Sequence, residues 1–263
     1  MCSATRELRR SVGYGVLLAI LLLAGGREAQ AVELNVLAAG ATESTMRAMV
    51  GIFERGSGNS VKLTYGAVGL LRDKIYAGQP ADLTIVTPVI IEQLQAKGLV
   101  RPETRVDVGR VGGGIAVRMG APRPAVGTAE ELKQALLAAQ EVYYANPATA
   151  TAGAYFLKVA DQLGVGDAVR QKGKTAAGGK EAMEMMARSN AEAIGLTQIS
   201  EILSVKEVVL IGPYPGNLQN MTTYSGILMA RTPHAEAAEA FLRWLKSPPV
   251  QARFKEAGYE PVP

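Results

Sequence analysis

Short apolar runs alternate along this chain with longer stretches in which apolar residues recur every three or four positions. LNVLAA (Leu34–Ala39) has the pattern of a buried strand, and MRAMVGIFERG (Met46–Gly56) that of an amphipathic helix. VKLTYG predicts the next strand, GLLRDKIYAG a helix stopping at Gly78, ADLTIVT a third strand and VIIEQLQAKG a helix stopping at Gly98. Parallel strands need a crossover between them, so this alternation predicts a mostly parallel sheet flanked by helices.

The rhythm restarts after residue 111. GGGIAVRMG (Gly112–Gly120) reads as a Gly-rich strand with a bend or hinge, and AEELKQALLAA as a helix. VYYAN, AIGLTQIS, VVLIGP and YSGILMA (Tyr224–Ala230) read as strands. TAGAYFLKVADQLG and AMEMMARSN read as helices, and PHAEAAEAFLRWLKS as the amphipathic helix that closes the chain. Two α/β lobes follow from this reading.

Ligands of open parallel sheets bind beyond the carboxyl ends of the strands. The loops concerned are 40–45, 66–69, 87–88, 146–153 and 176–180. In YGAVGLLRDKI (Tyr65–Ile75), a glycine-flanked loop runs straight into a helix, the arrangement that offers backbone N–H groups to an anion. The positions that would ordinarily add a hydroxyl hold Ala67 and Val68.

Residues 1–31 read as a signal peptide. Arg6, Arg9 and Arg10 form a basic start, Val16–Gly25 a short apolar run, and AQA at Ala29–Ala31 a small-x-small cleavage site. The run falls short of the ~20 residues a spanning helix needs. Cleavage near Ala31 predicts export to the periplasm; an uncleaved anchor is the alternative. The single cysteine, Cys2, lies in this leader, so the mature chain is expected to form no disulfide, thiolate nucleophile or Cys-based metal site. The net charge of +4 is partly the leader's, leaving no basic footprint for nucleic acid.

Catalytic machinery is sparse. The lone histidine, His234, opens the last helix and has no partner for a triad. Glu43 and Asp82 are carboxylates that nothing in their spacing pairs, and no phosphate-loop or dinucleotide fingerprint follows a strand. Trp244, Met183, Met185, Met186, Tyr143, Tyr144 and Tyr155 read as packing residues. The expectation is a binding protein with no cofactor and no metal.

The stretch from Leu34 to Thr87, with AGQPADL (Ala77–Leu83) at its end, resembles the N-terminal half of bacterial periplasmic molybdate-binding proteins. KGLV (Lys97–Val100), TAGAYF (Thr151–Phe156) and AIGLTQISEIL (Ala193–Leu203) continue the similarity over the mature chain. The resemblance implies a two-lobed type II periplasmic binding protein that feeds an ABC permease. It places crossing strands near 112–117 and 224–229, giving lobe I as 32–112 plus 228–263 and lobe II as 113–227. Lobe closure around the ligand is the implied motion.

The oxyanion ligands that the resemblance implies do not all carry over. Ala41 and Val68 stand where the family's serines would be, Gln198 where it has a tyrosine, and Lys180 near a backbone-amide position; Ala152 keeps the expected type. Each hydroxyl missing opposite a buried oxyanion costs about 1–3 kcal/mol. An ammonium and a carboxamide suit a carboxylate instead. The candidate ligand-binding set is therefore Ala41, Thr42, Ala67, Val68, Gly69, Thr151, Ala152, Gly179, Lys180 and Gln198, with Thr149 as a further hydroxyl. The expected ligand is a small anion, preferentially an organic di- or tricarboxylate; molybdate or tungstate is the alternative. The expected partner is an inner-membrane permease, with a sensing role as the alternative, and the protein itself is expected to be a monomer.

Overall fold

Parallel strands form the centre of each half of the molecule. The computed structural model describes residues 31–262, so the leader reading of residues 1–30 lies outside the described residues. Strand β1 (Glu33–Ala39) pairs in parallel with β2 (Ser60–Gly66) and with β3 (Leu83–Val86). Strand β5 (Glu141–Ala145) pairs in parallel with β6 (Gly173–Ala176) and with β7 (Ala193–Gln198). Between these two sets run β4 (Val106–Arg118) and β9 (Met221–Leu228), antiparallel to each other and to their neighbours. The order across the sheet is β2-β1-β3-β9-β4-β7-β5-β6; β8 (Val208–Pro213) and β10 (Tyr259–Glu260) also pair with β4.

The long strand β4 changes partners halfway. Up to Gly112 it pairs with β9, and from Gly113 it pairs with β7 and β8. The Gly-rich stretch is therefore continuous strand at the junction of the halves. The space a Cβ at Gly113 would need is filled by the Tyr214 ring, 2.7 Å away.

Each half buries its own apolar core. In the first, strand residues such as Leu34, Leu37, Leu83 and Ile85 meet helices α1 (Glu43–Ser57) and α9 (Ala235–Leu245). Phe53 packs edge-on against Phe241 at 5.0 Å, with Trp244 beside both. The second core gathers Ile115, Leu132, Leu136, Phe156 and Leu196 under α4 (Ala129–Ala138) and α5 (Thr151–Gln162). Met183 and Met186, on α7 (Gly179–Ala187), are fully buried against Tyr143 and Ile202. Burying each such side chain stabilises the fold by about 1.5–3 kcal/mol.

The remaining helices are α2 (Val68–Tyr76), α3 (Pro88–Ala96), α6 (Gly166–Lys172), α8 (Ile199–Leu203) and α10 (Pro248–Glu256). Three features depart from the sequence expectation. Strand β4 begins at Val106, six residues before the glycines. The helix α6 and strand β6 fill a stretch without predicted elements; β6 lies at the sheet edge, where half-exposed residues carry no apolar run. The helix over Ala235–Leu245 does not close the chain. Ser247, Pro248 and Pro249 end it and start α10, because proline fits the first turn of a helix but not its interior. Among the described residues no helix is long and apolar enough to cross a membrane.

Candidate functional site

Four parallel strands deliver their helix N-termini to one place between the halves. After β1 comes a short 3-10 turn (Gly40–Thr42) leading into α1; β2 leads through Ala67 into α2, β5 through Asn146–Ala150 into α5, and β6 through Gly178 into α7. None of these starts carries a side-chain cap. By contrast, α4 has a complete capping box from Thr128 and Glu131. Ala67 and Ala150 occupy N-cap positions where Ser, Thr, Asp or Asn would satisfy the first-turn N–H groups. Those donors are thus left for something else.

The four starts enclose an inner cavity of about 20 Å³, lined by Gly40, Ala41, Ala67, Val68, Thr151, Ala152, Gly178, Gly179, Gln198, Glu201 and Tyr224, among others. No lysine, arginine or histidine is among its lining residues. A cavity of this size holds about one water. Beyond it lies an outer cavity of about 150 Å³, bordered by Glu43, Tyr65, Lys74, Lys180, Glu181 and again Glu201. Glu201 borders both, as do Gly40, Gly66, Ala67 and Gly178, and it is the one ionisable side chain they share.

The halves touch beside this cavity. The Gly69 N–H donates to the Thr149 carbonyl at 2.9 Å, and a Cβ at Gly69 would stand 2.8 Å from that oxygen. The Thr149 hydroxyl is buried without a partner.

The sequence-predicted residues divide by position. Ala41, Ala67, Val68, Thr151, Ala152, Gly179 and Gln198 line the inner cavity. Thr42 is buried behind it, its hydroxyl donating to the Ala39 carbonyl at 2.8 Å. Gly69 contributes its N–H to the contact between the halves. Lys180 lines the outer cavity, and its ammonium lies 3.2 Å from Glu43 Oε1. Gln198 faces the crossing strands. With its oxygen accepting from the Thr222 hydroxyl at 2.9 Å, its NH2 group donates to the carbonyls of Gly112 (3.1 Å) and Val111 (3.3 Å). The reversed amide would set its oxygen against those carbonyls.

Sequence reasoning missed Glu201. Its carboxyl is buried, accepts a 2.5 Å hydrogen bond from the Thr197 hydroxyl, and is backed by the N–H groups of Gln198 and Gly179. A Cβ at Gly179 would overlap it, so glycine is needed where α7 begins. Burial pushes this carboxyl above the usual carboxylate range, and nearby Glu181 adds to that; Thr197 and the two N–H groups oppose it. A local signal existed. Gln198 is the N-cap of α8 and Glu201 its third residue, the spacing at which a Glu reaches back to the N-cap N–H. Tyr224, on β9, was also missed as a lining residue; burial pushes its phenol well above the usual value, so it stays a neutral donor. Among the described residues no cluster of three or more His, Cys, Asp or Glu could hold a metal ion.

Comparison with known proteins places this geometry in context. The family model for "Bacterial extracellular solute-binding protein" matches residues 34–260. The chain is 29% identical over 238 residues to an aconitate isomerase from a Pseudomonas species, covering 88% of each chain. It is 26% identical over 239 residues to the molybdate-binding protein ModA of Azotobacter vinelandii, covering 88% of this chain and 91% of that one. The solved periplasmic molybdate-binding protein of Azotobacter vinelandii superposes with a TM-score of 0.73 at 21% identity, over 88% of this chain and 99% of that one.

Proposed function

The chain belongs to the bacterial extracellular solute-binding protein family, and from that membership we propose that it is a periplasmic receptor. It captures a small organic di- or tricarboxylate between its lobes and passes it to an ABC permease. The carrying observation is the convergence of four uncapped helix N-termini on one cavity whose lining has no basic side chain. Such ends bind anions through backbone N–H groups and the helix dipole.

The absence of side-chain hydroxyls at Ala41, Ala67 and Val68 argues for a carboxylate over molybdate, which remains the competing ligand. So does the relative named for aconitate, an unsaturated tricarboxylate. In this reading residues 32–112 with 221–263 move against 113–220, about the point where β4 changes partners; the second lobe expected from the resemblance is shortened by residues 221–227, because β9 pairs with β3 and with the first part of β4. A cavity of about 20 Å³ admits no tricarboxylate, so the lobes must part for entry. The test is a thermal-shift series with trans-aconitate, tricarballylate and citrate against molybdate, tungstate and sulfate. A ligand at a hundred times its Kd stabilises the fold by about 2.7 kcal/mol. A shift with the metal oxyanions and none with any carboxylate would overturn the ligand class.

A second reading has specific support. The relative just named is an isomerase, and Glu201 sets a carboxyl able to give and take a proton against the inner cavity. Acid–base work of this kind is what a double-bond isomerisation by proton transfer requires. Proton NMR of trans-aconitate incubated with the protein in D2O decides. Growth of the cis isomer with deuterium at carbon makes the protein an enzyme, and an unchanged spectrum keeps it a receptor.

A further inference from the structure

The cleft contains a carboxyl group where an anion is to bind, and in a receptor for anions this needs a physical reason. Glu201 points at the start of α7, in contact with Gly179 and Thr197, and lies within reach of the Gly40 turn of the other lobe. An ionised Glu201 would set two anions side by side in a cavity with no cation, at a cost that grows as water is excluded. One proton removes the conflict. A carboxylic acid donates a hydrogen bond to a carboxylate oxygen, and an acid–carboxylate pair of matched basicity makes a short, charge-assisted bond.

We propose that Glu201 is the specificity-determining residue of the cleft, sharing a single proton with one carboxylate of the bound ligand. This deepens, and rests on, the carboxylate reading above. In the open cleft Glu201 faces water and ionises as an ordinary carboxyl. Closure around the ligand excludes water, and the complex takes one proton from solvent, held between Glu201 and the ligand oxygen. No bond other than this O–H is made. The ligands favoured are those whose oxygens match a carboxyl in basicity. Sulfate, a far weaker base, is disfavoured by the same contact.

The surroundings suit this role. On the elements packed against α8, the titratable groups facing Glu201 are Glu181 of α7 and the phenols of Tyr224 and Tyr259. None of these supplies a positive charge. Strand β7 presents the Thr197 hydroxyl, and the Gly40–Thr42 turn presents backbone. Strands β4 and β8 meet α8 through Gly114 and Leu210, against Ile199 and Ile202. Lys74 and Lys180 border the outer cavity but not the inner one, and Lys180 is paired with Glu43. In the closed arrangement burial, with Glu181 adding to it, displaces the carboxyl toward its protonated form.

The experiment is calorimetric titration of the full chain with trans-aconitate, sulfate and molybdate in HEPES and in Tris, from pH 7 to 9. Expected is uptake of close to one proton with trans-aconitate, and affinity weakening by about tenfold per pH unit, the limit for one linked proton. Glu201→Gln keeps a permanent donor, so it binds trans-aconitate with no proton uptake and a flat pH profile, and gains affinity for sulfate. Thr197→Val leaves Glu201 in place but removes a hydroxyl that favours ionisation, so trans-aconitate binds more tightly at each pH from 7 to 9 with proton uptake kept; an unchanged affinity counts against the proposal. Trans-aconitate binding without proton uptake, or with uptake unchanged in Glu201→Gln, overturns the proposal while the carboxylate reading stands. Binding of molybdate in place of trans-aconitate ends the carboxylate reading, and proton uptake with molybdate, lost or kept in Glu201→Gln, then decides the role of Glu201.

Discussion

The ammonium of Lys180 lies 3.2 Å from the carboxylate of Glu43, linking α7 of one half to α1 of the other across 137 residues of sequence. Glu43 also accepts from Arg47 Nε at 2.7 Å, so the pair is part of a small surface network. This contact joins the two halves through the Lys180–Glu43 ion pair.

Lys180→Ala is expected to weaken ligand binding only a few-fold. The side chains are 30% and 14% exposed, and partly exposed ion pairs contribute about 0–1 kcal/mol after screening. Glu43→Gln should have a similar effect, and the double variant should lose little more than either single one. Kd values for trans-aconitate in the four proteins check this; a loss above about a hundredfold in Lys180→Ala alone would return the lysine to the ligand.

Gly69→Ala should separate folding from closure. Gly69 sits in the first turn of α2 with no positive φ, so alanine is tolerated there and raises helix propensity by up to about 1 kcal/mol. Its methyl would collide with the Thr149 carbonyl only when the halves meet. The expected outcome is a melting temperature at or above that of the parent with ligand absent. With saturating ligand, the radius of gyration from X-ray scattering should fail to contract.

Ala67→Ser tests whether the α2 N-terminus is left free for a ligand. A serine at this N-cap would take an N–H of the first turn and stabilise the fold by about 0.5–2 kcal/mol. The same bond competes with the ligand, so the variant should melt higher alone and bind more weakly. A rise in both properties would remove α2 from the binding site.

The burial of Glu201 sets the sign of a pH effect on the stability of the closed, ligand-saturated form. Its folded carboxyl sits above the unfolded value, so its contribution is full below about pH 4, where carboxyls of unfolded chains are protonated. That contribution is lost as pH rises through the folded value. Glu201→Gln should therefore match the parent in acid and exceed it in stability near pH 8. Denaturant unfolding with saturating ligand at the two pH values measures the difference; equal stabilities at pH 8 would mean the carboxyl is not desolvated.

Much of this molecule was legible because its signals are local. Periodicity marked β1 through α3, the strand–helix alternation gave the parallel pairing, and strand ends followed by glycine or alanine located the turns at Gly40, Ala67, Ala152 and Gly179. Neighbours in sequence determine these features. Even Gln198-Ile-Ser-Glu201 carried a capping pattern, although its meaning as a cleft carboxyl was not local.

The direction of side chains was decided by contacts that no local pattern holds. Lys180 and Glu201 belong to the same lobe and border the same outer cavity, yet one pairs with Glu43 while the other walls the inner cavity. Gln198 turns to Val111, Gly112 and Thr222 because β4 and β9 pass beside the end of β7. The sequence by itself determined most of the elements, the parallel pairing within each half and the anion-seeking helix starts. Only the packing of the two halves decided which groups meet inside the cleft, because desolvation and hydrogen bonding depend on atoms brought together from separations that reach 137 residues.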